Sequence, residues 1–414
     1  MVRSLILATL ALLGATAGAF AQPTTTVGFD TTGGRYYRPV FAQVSVRTAT
    51  FGQATNVLGQ NQALQVDFYE PTGDTVQRRP LIVFAHEGGF VTGTRTDAYA
   101  VSFAQRFARL GYCVASIDYR LLFFPFNDTV ALGGAGFRAM QDMRGAIRFF
   151  RADAAGANQY RIASGFIVAA GSSAGAVTAL NVSAFDDPTE VPTFLAPLNL
   201  GPLEGTSGPA GYSSEVQAVV ALCGGLNRVR QLTSTDAPMC LVHGTADATV
   251  PYGRGTAGSG LPPLRVYGSG ILAPAAAALG VPAVLQTLVG APHVPYNGTT
   301  PRALAYADTT FRTVRDFLRP LLGTAQPVLG LLAAATPPPA TAWPVPAADA
   351  VQVCWPAARA FRPTDAVVLD AVTGRVVRHF RWATAAQLVP RAALPAGTYV
   401  VRATGAAVRV VFTN

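Results

Sequence analysis

Residues 168–177 read Val168-Ala169-Ala170-Gly171-Ser172-Ser173-Ala174-Gly175-Ala176-Val177: an apolar strand end, a Gly-x-Ser-x-Gly that occurs nowhere else in the chain, and the start of a helix. Such a stretch forms a nucleophile elbow, a strained strand-to-helix turn that lifts one serine oxygen above the edge of a sheet. The turn is tight and the strand and helix pack closely behind it, so the flanking residues must be small; Gly171, Ala174, Gly175 and Ala176 meet that need. With Ser173 at the apex, the stretch implies hydrolase or acyl-transferase chemistry and requires a base, an acid and an oxyanion hole elsewhere in the chain.

On either side, strands alternate with helices. Val40–Thr50 and Gln62–Tyr69 read as strands, and Pro80–Ala85 is a continuous apolar run of the kind a fully buried parallel strand shows. Asp97–Leu110 carries Ala100, Phe103, Phe107 and Leu110 at helical spacing, Tyr112–Ile117 is a strand, and Gly136–Ala152 is a helix with Met140, Met143, Ile147 and Phe150 on one face. Phe166–Ala170 is a strand and Ser173–Phe185 a helix. Val216–Leu222, Met239–Val242 and Ala283–Leu288 are further strands, with helices over Leu272–Leu279 and Pro301–Leu318. This alternation predicts an α/β fold with a mostly parallel central sheet and helices on both faces. Residues 186–215 interrupt it, being rich in Pro, Gly and Leu; an insertion directly after the elbow helix either caps the site or is a plain surface loop.

The ends of the chain differ from its middle. Arg3, the apolar run Leu5–Leu13 and Ala19-Phe20-Ala21 ahead of Gln22 have the order of a secretory signal peptide over residues 1–21. No later stretch is long and apolar enough to span a bilayer, so a stable membrane span is not expected. The domain boundaries expected are 36–320 for the α/β domain, 321–349 for a Pro/Ala-rich linker containing Pro337-Pro338-Pro339, and 350–414 for a small antiparallel β-sandwich module. That module has strands at Ala366–Asp370, Arg375–Phe380, Gly397–Ala403 and Ala407–Phe412, with turns at Thr373-Gly374 and Thr404-Gly405.

The chain has 414 residues, of which 50% are hydrophobic and 13% charged, about half the usual charged share of roughly 25%. All 31 basic residues are arginine, as GC-rich codon usage would give. The net charge of +9 is uneven: residues 350–414 hold 8 Arg against 2 Asp, and the α/β domain is nearly neutral, so the charge is no argument for nucleic acid. Cys113, Cys223 and Cys240 lie in apolar strand-like runs, where unpaired core thiols are found, and Cys354 lies in the module. Export permits a disulfide, and Cys223 with Cys240 is the one pairing worth testing. No Cys/His cluster has zinc spacing, and no cofactor is required.

A serine alcohol needs a histidine within hydrogen-bond reach. Of the four histidines, His379 lies in the module, and His86 and His243 each follow an apolar strand inside short motifs. His293 lies in a loop straight after the strand ending at Val289, at the carboxyl end where α/β sheets carry chemistry, and is the expected base. Asp247, in His243-Gly244-Thr245-Ala246-Asp247, falls between Ser173 and His293 and is the expected acid, while His243 packs within its loop. The oxyanion donors expected are the amide of Ala174 and those of Gly88 and Gly89 in His86-Glu87-Gly88-Gly89-Phe90.

Together, His86–Phe90, Gly171–Gly175, His243–Asp247 with Val250-Pro251, and His293 resemble the α/β-hydrolase superfamily over about residues 40–320. Within it they resemble secreted carboxylesterases and carbohydrate or feruloyl (acetyl xylan) esterases with a His-Gly-Gly-Gly oxyanion loop; Tyr112–Leu121 also looks like that group's strand ahead of the cap. The resemblance implies a Ser173–His293–Asp247 triad that hydrolyses a small-molecule or polysaccharide ester through an acyl-enzyme. One residue departs from the pattern. Glu87 stands at the second position of His-Gly-Gly-Gly, where a glycine is usual, and it is expected to face away from the oxyanion toward an arginine, with a structural role.

His243–Pro251 is also similar to prolyl-oligopeptidase-like peptidases, whose propeller does not fit ahead of Val40, and an inactive hydrolase fold used for binding is the non-enzymatic alternative. The module resembles the type A sorting domain of the type IX secretion system through Val367–Asp370, Thr373–Val376, Leu394–Arg402 and Val408–Phe412. That implies secretion or cell-surface display after passage through the periplasm, with the secretion machinery as partner. A carbohydrate-binding sandwich is the alternative, but Trp382, Tyr399, Phe380 and Phe412 fit the strand core, with Trp355 and Phe361 as further aromatics.

Overall fold

The computed structural model describes residues 28–122, 128–257, 263–323, 341–343, 349–354, 363–370, 376–392, 394–403 and 406–412. The leader, most of the linker, Thr373-Gly374, Thr404-Gly405, Trp355 and Phe361 lie outside these residues. The chain divides into two compact units, Gln22–Leu331 and one that holds Leu332–Asn414.

The first unit is built on an eight-stranded sheet of β1 (Val44–Thr55), β2 (Asn61–Pro71), β3 (Arg79–Ala85), β4 (Cys113–Ile117), β5 (Ile162–Ser172), β6 (Ala218–Leu222), β8 (Met239–Gly244) and β11 (Ala283–Leu288). Their order is β1-β2-β4-β3-β5-β6-β8-β11. β2 runs antiparallel to both neighbours, and every pairing from β4 to β11 is parallel. A separate three-stranded antiparallel sheet is made by β7 (Gly225–Leu226), β9 (Arg254–Thr256) and β10 (Arg265–Gly268).

The helices are α1 (Ala98–Leu110), α2 (Thr129–Ala155), α3 (Ala174–Ala184), α4 (Ser269–Ala278) and α5 (Pro301–Leu321). Side chains of a strand alternate between faces, and β3 shows the consequence. Leu81, Val83 and Ala85 join the core that buries α2, α3 and α4, whereas Ile82 and Phe84 join the core that buries α1 and α5. Both faces of the sheet are therefore covered, which is why its strands read as unbroken apolar runs rather than as alternation.

Helix α2 begins at Thr129, one to two turns before the expected Gly136, with the Asp128 side chain capping Ala131 N–H at 2.6 Å. The sequence hid this turn because Gly133 and Gly134 lower helix propensity. Both are there for contact: a Cβ on Gly133 would come within 3.0 Å of Phe194 and Leu195, and one on Gly134 within 2.3 Å of Leu198. The insertion is seated on them. It folds as two short 3-10 turns, Pro188–Glu190 and Thr193–Leu198, followed by irregular chain.

Two α2 arginines, Arg148 and Arg151, fasten that chain through its carbonyls, and a third, Arg144, binds carbonyls at the end of α3 ahead of it. Arg144 donates to Val182 and Phe185, Arg148 to Ser207 (2.6 Å) and Pro209 (2.9 Å), and Arg151 to Ser213 (2.6 Å) and Glu215 (2.6 Å). Glu204 accepts from both Arg144 and Arg148.

The second unit consists of two antiparallel sheets. β12 (Thr341–Trp343), β13 (Ala350–Cys354) and β16 (Ala386–Pro390) form one; β14 (Thr364–Asp370), β15 (Val376–Trp382), β17 (Gly397–Ala403) and β18 (Ala406–Phe412) form the other. Val351, Val353 and Val389 of the first share one core with Val368, Trp382, Val401 and Phe412 of the second. Thr341–Trp343 lies inside the stretch read as linker and is a strand instead, paired to Gln352–Cys354; its Pro/Ala-rich surroundings conceal the three residues that the sheet edge recruits.

All four cysteines are free thiols. Cys240 pairs with Val220 across β8 and β6, and Cys223 lies three residues further along. That places it about 10 Å away at strand rise, beyond the reach of a disulfide; the Cys223–Cys240 pairing does not form.

The elbow depends on two glycines. A Cβ on Gly171 would come within 2.2 Å of the Gly175 backbone, and one on Gly175 within 2.1 Å of the Ala85 carbonyl oxygen. Both neighbours are backbone and cannot step aside. Gly175→Val is expected to cost several kcal/mol through overpacking, lowering Tm by roughly 5 °C or more in a scanning calorimetry comparison with wild type.

Candidate active site

Ser173 links β5 to α3 with φ +52° and ψ −115°. A non-glycine residue in that region carries strain that the surroundings must overcome. They do so through a hydrogen bond from Ser173 N–H to Leu222 O on β6 (2.8 Å) and one from Val177 N–H to Ser173 O (3.0 Å). The result is a hydroxyl held above the sheet rather than turned into the first turn of α3.

His293 reaches it from the loop after β11. Its Nε2 lies 2.7 Å from Ser173 Oγ, and its Nδ1 lies 2.6 Å from Asp247 Oδ2. Asp247, in the loop after β8, has a fully buried carboxylate whose other oxygen accepts from the amides of Thr249 (2.9 Å) and Val250 (2.8 Å). Burial acts to raise its pKa. The hydrogen bonds from His243 and His293, with the charge of His293, outweigh that and hold it well below the usual carboxylate range. An ionised Asp247 facing Nδ1 fixes the tautomer that leaves Nε2 free to accept the serine proton. Ser173, His293 and Asp247, 120 and 46 residues apart in sequence, thus form one continuous hydrogen-bonded chain.

His243 is fully buried and supports this chain from behind. Its Nε2 lies 2.9 Å from Val250 O and 3.2 Å from Asp247 Oδ2, and its Nδ1 lies 2.9 Å from Ser269 Oγ. Two acceptors facing Nε2 require a proton there, so the ring donates to the aspartate loop. His86 is buried too; its ring stacks on Tyr119 at 4.2 Å, and burial lowers its pKa.

Gly88, Gly89 and Ala174 line the same cavity as Ser173 and His293. Ala174 is the first residue of α3, so its amide has no partner within the helix. Gly88 and Gly89 both have positive φ, +117° and +62°.

Glu87 does not face an arginine. Its carboxylate accepts from Ser172 Oγ at 2.7 Å and from Asn297 Nδ2, and Ser172 Oγ is 2.8 Å from the Tyr296 hydroxyl. One carboxylate therefore ties the Glu87–Gly89 loop to the residue before Ser173 and to the loop that carries His293. Its partners, Ser172 and Asn297, lie 85 and 210 residues away in sequence, and nothing in sequence spacing brings them to Glu87. Cys223 is a second feature that sequence did not place. It has φ +56°, its thiol is pushed up to about 12 by burial, and it lies beside Asp247 and His293.

The cavity measures about 770 Å³. Its walls are largely apolar, with Phe90 and Phe137 from the domain, Phe185 from the end of α3, and Phe194 and Leu195 from the insertion, which therefore covers the site.

The parallel sheet with its elbow and covering insertion is an α/β-hydrolase fold. The BD-FAE family model matches residues 66–229, a stretch that includes Glu87–Gly89, Ser173 and Ala174 and stops before Asp247 and His293. No curated protein matches the chain. Among solved structures, the chain is similar to Thermogutta terrifontis esterase 2 phosphorylated by paraoxon, with 22% identity over 68% of this chain and 95% of that one and a TM-score of 0.50. The propionate-bound form of that esterase is 21% identical over 68% and 96% of the two chains with a TM-score of 0.49, and the apo form is 22% identical over 68% and 96% with a TM-score of 0.49.

Because the folded-state pKa of Asp247 lies below its unfolded value, the group stabilises the protein above about pH 4, and that stability is lost as pH falls through the folded value. Chemical denaturation at about pH 5 and pH 3 should show wild type losing more stability on acidification than Asp247→Asn. Equal losses would mean that the depressed pKa is not a property of the folded site.

Proposed function

We propose that the chain is a serine hydrolase that cleaves carboxylic esters through an acyl-enzyme. The observation that carries this reading is the hydrogen-bonded relay from Ser173 Oγ through His293 to a buried, ionised Asp247, with the serine at positive φ on an elbow. In this reading Ser173 Oγ attacks the ester carbonyl while His293 Nε2 takes its proton. The amides of Ala174 and of Gly88 and Gly89 receive the developing oxyanion. Collapse of the tetrahedral species expels the alcohol, which leaves with the proton from His293. Water, deprotonated by the same nitrogen, then releases the acid and restores the serine.

The apolar walls and the volume of about 770 Å³ support an acyl group larger than acetyl. The BD-FAE match and the likeness to an esterase that paraoxon phosphorylates support the same chemistry. A polysaccharide-linked acyl ester fits the reading, as does a small free one. We also propose export, with residues 1–21 as leader and 350–414 as a sorting module for the secretion machinery; this rests on the sequence of those segments. No helix among the described residues is long and apolar enough to cross a membrane.

The test is hydrolysis of 4-nitrophenyl esters from acetate to octanoate by the full chain. Turnover is expected, with kcat/KM rising about fourfold per added methylene until the apolar wall is filled, and Ser173→Ala is expected to lower kcat by at least about 10³. Paraoxon should leave one diethylphosphoryl group on Ser173, read by peptide mass. A folded protein that neither turns over any ester nor takes the label would point to a binding protein. Glu87→Gly is expected to lower kcat about tenfold or more by freeing the oxyanion loop; a tenfold rise would instead show the carboxylate intruding on the oxyanion.

A further inference from the structure

Beside the catalytic cavity lies a second concavity of about 500 Å³, with Phe194, Asn227 and Leu264 in both walls. The rest of its lining is dominated by cations: Arg228 and Arg230, which follow β7, and Arg265, which opens β10, together with Tyr267. Arg254 on β9 stands over the Tyr267 ring at 5.9 Å.

Several other arginines of this unit are engaged with carboxylates, whereas some, Arg151 among them, meet only carbonyl and hydroxyl oxygens. Arg79 meets Glu70, Arg95 meets Asp67 and Asp118, Arg120 meets Asp142, and Arg144 and Arg148 share Glu204. Among the described residues, no carboxylate lies within ion-pair distance of Arg228, Arg230 or Arg265. Two nearby acids are not paired with them. Asp236 is held by Ser183 Oγ and by Thr233 N–H, and Glu190 offers Arg228 only its backbone carbonyl, at 3.4 Å.

Three arginines line one concavity, Arg228 meeting only the Glu190 carbonyl, and among the described residues no carboxylate balances their charge. An anion would. The guanidinium fork matches the two oxygens of a carboxylate, so two or three such groups around a pocket form an acid-recognition site. Phe194 and Tyr267 add ring faces against which the carbon skeleton bearing the acid can lie.

We infer that this concavity is a subsite for a second, ionised carboxylate on the ester substrate, some bonds away from the scissile carbonyl. The inference rests on the ester-hydrolase reading of the neighbouring cavity. The acid could belong to the acyl half, as in a dicarboxylic monoester, or to the alcohol half, as in an acylated uronic acid. Both present the same group to the arginines.

The experiment compares the full chain with the Arg230→Gln/Arg265→Gln double variant. Both residues are exposed and outside the Ser173–His293–Asp247 relay. Monoethyl and diethyl esters of dicarboxylic acids from succinic to sebacic form one substrate series, and acetylated neutral and uronic-acid-bearing xylo-oligosaccharides form the other.

In wild type, one acidic substrate is expected to be preferred over its neutral counterpart. In the double variant that ratio of kcat/KM should fall about tenfold or more, while 4-nitrophenyl butanoate turnover stays within about twofold. Added salt should shrink the wild-type ratio as well. The series that shows the effect identifies which half of the ester carries the acid.

Binding of trigalacturonate to Ser173→Ala by titration calorimetry provides a readout independent of hydrolysis. Arginine-dependent binding without turnover of any ester would keep the subsite and remove the esterase reading. Turnover with no charge preference in either series and no arginine-dependent binding would overturn the subsite and leave the esterase reading standing.

Discussion

The closeness of α3 to β3 governs the site. The Gly175 Cα packs against the Ala85 carbonyl with no room for a methyl group, and Gly171 packs against Gly175 in the same way. A helix that begins so near the strand it crosses leaves the connecting residue no relaxed path, and Ser173 takes the positive φ that remains. The strain is held by the buried sheet: Ser173 N–H bonds to β6, and the core on either side of β3 and β5 is solvent-free. The hydroxyl is thus aimed before any ligand arrives, so little reorganisation is left for the moment of reaction.

Around that fixed point the loops are braced to one another. Glu87 connects the oxyanion loop to Ser172 and to Asn297, Tyr296 meets the same Ser172, and His243 supports the aspartate loop through Val250 and Asp247. The insertion is held differently. Arg148 and Arg151 bind its later carbonyls and Arg144 its Glu204 side chain, whereas Phe194 and Leu195 in its earlier part contribute apolar surface to the cavity. Burial lowers the pKa of Arg151 to about 10, still far above neutral, so the strap keeps its charge over the working range of most enzymes.

How much of this was legible in the sequence follows from the range of each interaction. The elbow and the buried strands could be read because each is a local pattern whose chemistry demands specific residue types nearby, and Asp247 and His293 were reached from the elbow serine through the order such residues take in the family the motifs resemble. The early start of α2 could not, because Gly133 and Gly134 serve a packing contact that is invisible until the insertion is in place. The partners of Glu87 lie 85 and 210 residues away in sequence, with no local pattern to mark them. The sheet of β7, β9 and β10 escaped because strands of two to four residues carry no periodicity. The strand Thr341–Trp343 escaped for the same reason.

The burial of Trp382 in the core of the second unit has a practical side. All three tryptophans, Trp343, Trp355 and Trp382, fall beyond Leu332, so the hydrolase unit contains none. Indole emission is therefore a private signal of the β-sandwich. An unfolding curve followed by tryptophan fluorescence traces that unit alone, whereas far-ultraviolet circular dichroism is dominated by α1 to α5 of the other. The two probes applied to one sample separate the stabilities of the two units without cutting the chain.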